Sequence, residues 1–438
     1  MTLGAQAGAS GSIASSDAAN GVPVSISLEH AIALALKNDP AYGLSKAERE
    51  SALLDRNIAR SALLPQASIN NQYLYTEPNG LLNQAGQGVS AQPAPRFIAN
   101  NAIREYASQI VVTETLSGAS LIDLSRTRAL AAKATADLEL SRRDLVLNVV
   151  TAYFGAIAAD DKMHVAERAN DESRSFDELT RKLERGREVA HADVAKADLQ
   201  MQQGMRELDD ARLAAEKARL DLAVLLFPDP RMPYTLAGGA GLPTLASRAE
   251  IEAAAGRNNP DLRSALEALR ASEAEVRAAR AGYLPTLTFA YNYGIDAPQV
   301  AVNGPDGARN LGYSAMVGLD FPVWDWFATH DKVKQSQLRK RAAEVTLTNV
   351  QRVLIAQLEE FYDEAKIAND HLASLEKSVT TAQESLRFTK LRYQAGEATA
   401  LEVVDAQTAL RLAETARADG AVRYRVALAN LQTLTGTL

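Results

Sequence analysis

Two stretches of the chain carry apolar residues at alternating steps of three and four without a slip. The first series is Val194, Ala197, Met201, Gly204, Leu208, Ala211, Ala215, Ala218, Leu222 and Leu225. The second is Leu354, Leu358, Phe361, Ala365, Ala368, Leu372, Leu375, Val379, Ala382 and Leu386. An unbroken seven-residue repeat predicts the seam of a coiled coil rather than an ordinary surface helix. The small residues in both series imply close backbone approach. All 15 prolines lie at or before Pro95 or between Pro228 and Pro322. A proline inside a helix costs about 3 kcal/mol, so the two proline-free tracts are where long helices can form. From about Ser120 to Arg185 only Gly155 interrupts a helical composition. At 1.5 Å per residue, roughly 65 helical residues span about 100 Å.

A second period appears next to two of the prolines. After Pro65, Gln66, Ser68, Asn70 and Gln72 alternate with Ala67, Ile69, Asn71, Tyr73 and Tyr75. After Pro285, Thr286, Thr288, Ala290 and Asn292 alternate with Leu287, Phe289, Tyr291 and Tyr293. Period two with one polar face, one apolar face and tyrosines toward one end predicts barrel strands with an aromatic girdle. Partner strands are expected from Tyr106 to Thr115 and from Tyr313 to Phe321, with Glu114 and Asp320 near strand ends. The polar segments 76–103 and 296–309 then become external loops. Four strands cannot close a barrel, and open strand edges are not viable in hydrocarbon. Strands of this kind that span a membrane must belong to an oligomer sharing one barrel.

The two halves repeat each other. Asn38-Asp39-Pro40 recurs as Asn258-Asn259-Pro260, and Ala59-Arg60-Ser61-Ala62-Leu63-Leu64-Pro65 as Ala279-Arg280-Ala281-Gly282-Tyr283-Leu284-Pro285. The spacing between prolines is the same in both copies, 65 − 40 = 25 and 285 − 260 = 25. Further on, Tyr153-Phe154 answers Phe361-Tyr362 and Gly186 answers Gly396, so the offset drifts from 220 to 208 and 210. The insertions therefore lie in intervening loops. This gives a first repeat at 27–226, a linker or equatorial region at 227–247 and a second repeat at 248–438. Residues 1–26 read as a disordered N-terminal segment. Within it, Ala5-Gln6-Ala7 has the small-x-small form of a signal-peptidase site, but no apolar stretch precedes it; a trimmed leader is the reading taken.

Composition narrows the function classes. The chain has 438 residues, a net charge of −7 and no cysteine. That excludes disulfides, Cys-ligated metals and a lipidated N-terminal cysteine, and it gives no basic stripe for nucleic acid. No window of 18 uninterrupted apolar residues occurs, so a transmembrane helix is not expected. The five histidines (His30, His164, His191, His330, His371) are scattered, and no phosphate loop or nucleophile motif appears. No catalytic group, metal or cofactor is expected.

Repeated units of helix, two strands and a helical hairpin resemble the TolC-type outer-membrane efflux proteins. The resemblance covers about Ser27 to Leu438. It rests on the Asn-x-Pro near the start of each copy and the Ala-Arg-x-x-x-Leu-Pro before each first strand. A third mark is Tyr393-Gln394-Ala395-Gly396-Glu397-Ala398, leading to Leu401-Glu402-Val403-Val404-Asp405-Ala406-Gln407. The resemblance implies a mainly α chain with a membrane β-barrel. Tandem-duplicated coiled-coil hairpins form an α-barrel tunnel, and each chain gives four strands to a twelve-stranded barrel shared by a homotrimer in the outer membrane. It also implies a periplasmic adaptor (membrane fusion) protein and an inner-membrane pump of RND or ABC type as partners. The alternative is a soluble periplasmic coiled-coil adaptor or scaffold, which needs no alternating strands.

By the same resemblance the hairpin tips form the tunnel entrance. Gly186 and Gly396 are expected at the turns because a tight link between long helices needs positive φ. Glu402, Asp405 and Asp193 are candidates for carboxylate rings at the entrance, although acids also favour a helix N-terminus for its dipole alone. Tyr393 is a candidate latch between hairpins. Arg392 and Arg187 are candidates for pairing across hairpins and for adaptor docking. Asp193 follows Gly186 by seven residues and Glu402 follows Gly396 by six, so the two tips are expected to differ in geometry. Tyr73, Tyr75, Phe289, Tyr291 and Tyr293 are the barrel-strand aromatics.

Overall fold

A computed structural model describes residues 24–75, 104–237, 243–304 and 307–436. The duplication is visible in the element lengths. Helices α1 (Leu28–Asn38) and α5 (Arg248–Asn258) each have 11 residues, and α2 (Pro40–Ser61) and α6 (Pro260–Ala281) each have 22. Helices α3 (Gly118–Arg185) and α7 (Ala328–Gln394) have 68 and 67, and α4 (His191–Leu226) and α8 (Ala400–Thr435) have 36 each. The strands are β1 (Val24–Ile26), β2 (Gln66–Tyr75), β3 (Arg104–Leu116), β4 (Tyr234–Leu236), β5 (Thr286–Ala297) and β6 (Leu311–Asp320).

The recurring Asn-x-Pro has a mechanical explanation. Asp39 closes α1 with its backbone N–H on Ala35 O, while its carboxylate accepts from Tyr42 N at 2.7 Å and so caps α2. Asn259 does the same between α5 and α6, with its N–H on Ala255 O and its side-chain oxygen accepting from Leu262 N at 2.9 Å. Proline occupies the first helical position, where a missing N–H costs nothing.

The described residues fall into two compact units, and neither coincides with a repeat. One takes the described parts of Met1–Ala47, Ala136–Arg263 and Asn349–Leu438; the other takes Glu48–Thr135 and Ser264–Thr348. The repeats are units of sequence, while each compact unit draws on both copies.

In the first unit both predicted seams are buried or half-buried at every position, from Val194 to Leu225 and from Leu354 to Leu386. Gly204 shows why the seam favours small residues. A Cβ there would sit 2.9 Å from Ser173 Oγ on the facing helix. A core forms around Tyr153, Val149, Leu222 and Leu226, which are at most 1% exposed. The Tyr153 hydroxyl lies between Ile26 O and Ala237 O, at 3.0 and 2.7 Å. Those carbonyls flank a small parallel pairing of β1 with β4. The segment expected to be disordered through residue 26 therefore ends in a strand, and the linker expected at 227–247 contributes its partner. Period-two reasoning needs longer runs than three residues, which is why neither strand was legible. Residues 1–23, including the Ala5-Gln6-Ala7 site, lie outside the described residues, as do 76–103, 238–242 and the last two residues.

Arg143 ties this unit together. It donates Nη1 to Asn258 O and Thr433 O, both at 3.2 Å, and Nε to Glu139 Oε1 at 2.9 Å, with its side chain 6% exposed. One guanidinium thus satisfies orphan carbonyls at the C-terminal ends of α5 and α8, where the helix dipole favours a cation.

The second unit holds an antiparallel sheet of order β2-β3-β5-β6. The register places Ala67, Ile69, Tyr73 and Tyr75 on the same face as Ile110, Val112, Leu287, Phe289, Tyr291, Tyr293, Tyr313, Val317 and Leu319. The other face carries Gln66, Ser68, Asn70, Gln72, Thr113, Gln109, Thr288, Asn292, Ser314 and Asp320. Glu114 is not on the polar face: it lies opposite Phe289 on the apolar one, near the last pair of the β3–β5 ladder. The segment read as a loop at 296–309 begins inside β5, and Asn303 bridges Arg309 within it. Among the described residues no helix is long and apolar enough to cross a membrane.

Replacing Arg143 by Ala removes the donor to two helix-end carbonyls and one of the two arginines beside Glu139. The expected loss is about 2–4 kcal/mol, read as a lower denaturation midpoint by circular dichroism. Replacing the exposed Arg341 should move the midpoint by less than about 0.5 kcal/mol. Equal midpoints for the two variants would remove Arg143 from this role.

Candidate functional site at the hairpin tips and the sheet

The two tips close by the same hydrogen bonds. At the first, Arg187 N donates to Glu184 O at 2.8 Å and Glu188 N to Leu183 O at 2.9 Å. At the second, Gly396 N donates to Tyr393 O at 3.1 Å and Glu397 N to Arg392 O at 2.8 Å. The left-handed residue is Gly396, φ 76°, in one tip and Arg187, φ 62°, in the other. The expectation for Gly396 holds. The one for Gly186 is corrected: the positive φ falls on the next residue, a non-glycine that adopts it at some cost. Counted from the left-handed residue, Asp193 and Glu402 each stand six residues on (193 − 187 and 402 − 396). The tips therefore share one geometry, and the sequence offsets of 208 and 210 resolve into a single offset of 209, which relates both helix ends.

Each carboxylate of interest has a defined place. Glu402 is the third residue of α8 and completes a capping box. Its Oε1 accepts from Thr399 N at 3.1 Å, and Thr399 Oγ1 accepts from Glu402 N at 3.3 Å. Those bonds with Thr399, reinforced by Arg392, hold the Glu402 carboxyl below the usual carboxylate range. Asp193 occupies the equivalent position on α4, but its N-cap is Ala190, which offers no side chain. Asp405 is exposed on α8, and none of the described hydrogen bonds or ion pairs engages it.

Arg392 pairs within its own hairpin. It donates to Glu397 O at 2.9 Å and reaches Glu402 Oε2 at 3.4 Å, so the expected pairing across hairpins is not made by this residue. Arg187 is exposed, and none of the described bonds engages its side chain. Tyr393 does cross between copies. It is 4% exposed and meets the Phe176 ring edge-on at 5.2 Å, within a cluster of Ala197, Leu386, Val403 and Val404. Its hydroxyl makes no well-formed hydrogen bond. Burial pushes its pKa up, with Thr180 nearby opposing that and Asp193 adding to it.

The charged contacts between copies are made by residues that sequence reasoning passed over. Lys390 pairs with Glu172, Lys162 with Asp419, Arg168 with Glu414 at 3.3 Å and Arg411 with Glu207 at 3.3 Å. Each partner sits more than 200 residues away, so a local reading of helix charge sees only a solvated face. The pairs are partly open to solvent, and those that are exposed contribute about 0–1 kcal/mol each.

In the sheet, Tyr73, Tyr75, Phe289 and Tyr293 are 54%, 48%, 40% and 42% exposed, and Tyr291 is half-buried on the same face. Tyr73 stacks against Tyr106 with centroids 4.7 Å apart, and Tyr291 against Tyr313 at 6.1 Å. An exposed apolar face this extensive marks contact with a membrane or another chain. Its outer strands, β2 and β6, each leave one edge without a partner strand among the described residues.

Residues 253–437 match the family model described as outer membrane efflux protein. The chain is 25% identical over 419 residues to the outer membrane protein TolC of Escherichia coli (strain K12), covering 92% of this chain and 80% of that one. It is 24% identical over 429 residues to the alkaline protease secretion protein AprF of Pseudomonas aeruginosa, covering 92% and 83%. Among solved structures, the Campylobacter jejuni CmeC outer membrane channel superposes with a TM-score of 0.79 at 18% identity, over 94% of this chain and 85% of that one.

Two predictions concern the tips. Arg187→Gly should relieve backbone strain and stabilise the first tip by up to about 1 kcal/mol, while Gly396→Ala should cost the second about 1–2 kcal/mol. Hydrogen exchange of the Glu188 and Glu397 amides checks both, and opposite signs would overturn the assignment of the left-handed residues. The second prediction is a pH dependence. A carboxyl whose folded pKa is depressed stabilises fully above its unfolded value and loses that contribution as pH falls through the folded one. Protection of the Glu402 amide should therefore fall as pH drops through and below the ordinary carboxylate range, and Glu402→Gln should abolish that dependence.

Proposed function

We propose that this chain, a TolC-type outer-membrane efflux protein, is the outer-membrane duct of an export system, a passive conduit that needs no catalytic group. One observation carries the reading: a four-stranded sheet with one apolar face, one polar face and two edges unpaired among the described residues. Strands β2, β3, β5 and β6 alternate in direction, so the β6 edge of one copy meets the β2 edge of the next antiparallel, and any number of copies closes a ring without a mismatch. Two copies would give eight strands, whose interior side chains nearly fill; three give twelve and leave a lumen. The homotrimer is therefore the assembly proposed, with the apolar face on outer-membrane lipid and the polar face lining the pore. The two-repeat division at 27–226 and 248–438, joined through 227–247, supports it by supplying two equivalent hairpins per copy.

The tips then form the periplasmic mouth, where a periplasmic adaptor docks and couples the duct to an inner-membrane pump of RND or ABC type. Opening is a separation of the second-copy hairpin from the first. The Tyr393–Phe176 contact and the Lys390–Glu172 and Arg411–Glu207 pairs are what such a movement breaks. Gly186, Gly396, Arg187 and Arg392 shape the docking turns. Glu402 serves first as a helix cap, Asp193 holds the matching position, and Asp405, exposed and unengaged, is the residue placed on the carboxylate ring. One named relative is a protease secretion protein and another an outer membrane channel, so the cargo class is left to the pump. A soluble coiled-coil scaffold has no use for the apolar sheet face.

The test is mass measurement in detergent followed by conductance in planar bilayers. A trimer that conducts supports the duct; a monomer soluble without detergent overturns it. In the same bilayers Asp405→Ala should lower cation selectivity and weaken divalent block, and unchanged selectivity would remove Asp405 from the ring.

A further inference from the structure

The helices of the two copies leave a gap over residues 165–175 of α3, opposite Gln383 and Leu386 on α7 and residues 407–414 of α8. The gap is a groove of about 400 Å³, open on one side, which is within the size range of small-ligand pockets. Val165, Leu386 and Leu410 give it an apolar wall. Its polar lining divides into committed and uncommitted groups. Arg168 is paired with Glu414 and Arg411 with Glu207, both at 3.3 Å, and Glu172 is paired with Lys390. That leaves Asp171, which is exposed and whose carboxylate none of the described hydrogen bonds or ion pairs engages. It also leaves Gln407. This side chain is 8% exposed, and its Oε1 is shut off from solvent with no donor among the described residues. Its Nε2 makes only a long contact, 3.5 Å, to Glu172 O. Turning the amide over would set its oxygen against that carbonyl instead, so the orphaned atom is the acceptor. A buried acceptor without a donor is costly, and native structures seldom keep one without a reason. Gln383 can both donate and accept, and Ser175 Oγ already donates to Asp171 O at 2.8 Å. What the groove lacks is a donor.

We propose that this groove is a binding site for a small primary ammonium compound with a compact apolar body. The ammonium donates to Asp171 and to Gln407, whose amide turns about a soft terminal torsion to meet it. The hydrocarbon body lies on Val165, Leu386 and Leu410. An anion would find only guanidiniums that are already paired, and an uncharged ligand would leave the Asp171 carboxylate unanswered. The walls come from both copies, α3 from the first and α7 and α8 from the second, so the site exists only while the hairpins lie together. On the duct reading above, an occupant therefore favours the closed arrangement by mass action. Binding itself does not depend on that reading.

The test is calorimetric titration of the full chain in detergent micelles with phenethylammonium and with its neutral counterpart, phenethyl alcohol, at roughly 0.15 M salt. The ammonium should bind saturably and about ten-fold more tightly than the alcohol. Asp171→Asn and Gln407→Leu should each weaken its binding by about ten-fold. Asp370→Asn, the same charge change at an exposed position of α7 outside the groove, should leave it unchanged. Circular dichroism checks that each variant folds. Because Asp171 is exposed, its variant decides the matter even where Gln407→Leu does not fold. Absence of saturable binding means that water alone fills the groove, and it overturns the proposal. Equal affinity for ammonium and alcohol does the same, as does an equal loss in Asp370→Asn, which marks diffuse charge attraction. In planar bilayers a saturating concentration of the ammonium should lower conductance by about two-fold in the original chain and have no effect on Asp171→Asn. A chain that never conducts counts against the duct reading alone, and the calorimetry still decides the site. Conductance unmoved despite measured binding overturns the preference for the closed arrangement.

Discussion

A row of backbone amides and carbonyls at the margin of a sheet has to find partners, and in hydrocarbon water cannot supply them. The β2–β3–β5–β6 sheet has two such margins and an apolar face between them. Most of the other features follow from that debt. Alternating strand directions make the margins complementary between copies, so association becomes a condition for membrane residence rather than an embellishment. The polar face with its Ser, Thr, Asn and Gln side chains becomes an interior once the ring closes.

The helical part solves a different problem. Helices of 68 and 67 residues cannot be held by a globular core, so they are held by seams. Ala and Gly along those seams let backbones approach, which trades the larger burial of Leu or Phe for many shallow contacts. Shallow contacts and solvent-accessible ion pairs are individually weak, which suits the proposed separation of the hairpins. Distant segments are joined elsewhere, where Arg143 donates to two carbonyls and the Tyr153 hydroxyl, with its one proton, lies between two more.

The sequence disclosed what is periodic. Both heptad seams, the four long strands and the doubled Asn-x-Pro could be read because each repeats a signal several times over. Three-residue strands β1 and β4 could not, since a period needs more than three positions to register. At the tips, glycine identified the turn but misplaced it by one residue in the first copy, because Arg187 accepts a backbone conformation that statistics assign to Gly186. Interhelical partners such as Glu172 with Lys390 were invisible, since nothing local distinguishes a charge facing water from one facing another hairpin. Arg143 was likewise hidden among many helical arginines, its role being set by where two other helices happen to stop.

One small feature limits where the two copies of this chain can differ in length. Asp39 and Asn259 each finish one helix and start the next with no intervening residue, so the corner has no slack. An added residue there would rotate the following helix by about 100° and carry its strand to the wrong face. The two copies have kept both spacings identical at these corners while their offset shifted from 220 to 209 beyond the strands. Insertions and deletions have therefore been confined to the hairpin connections and strand-to-helix links. New surface chemistry in this architecture has the best opportunity to arise at those same connections.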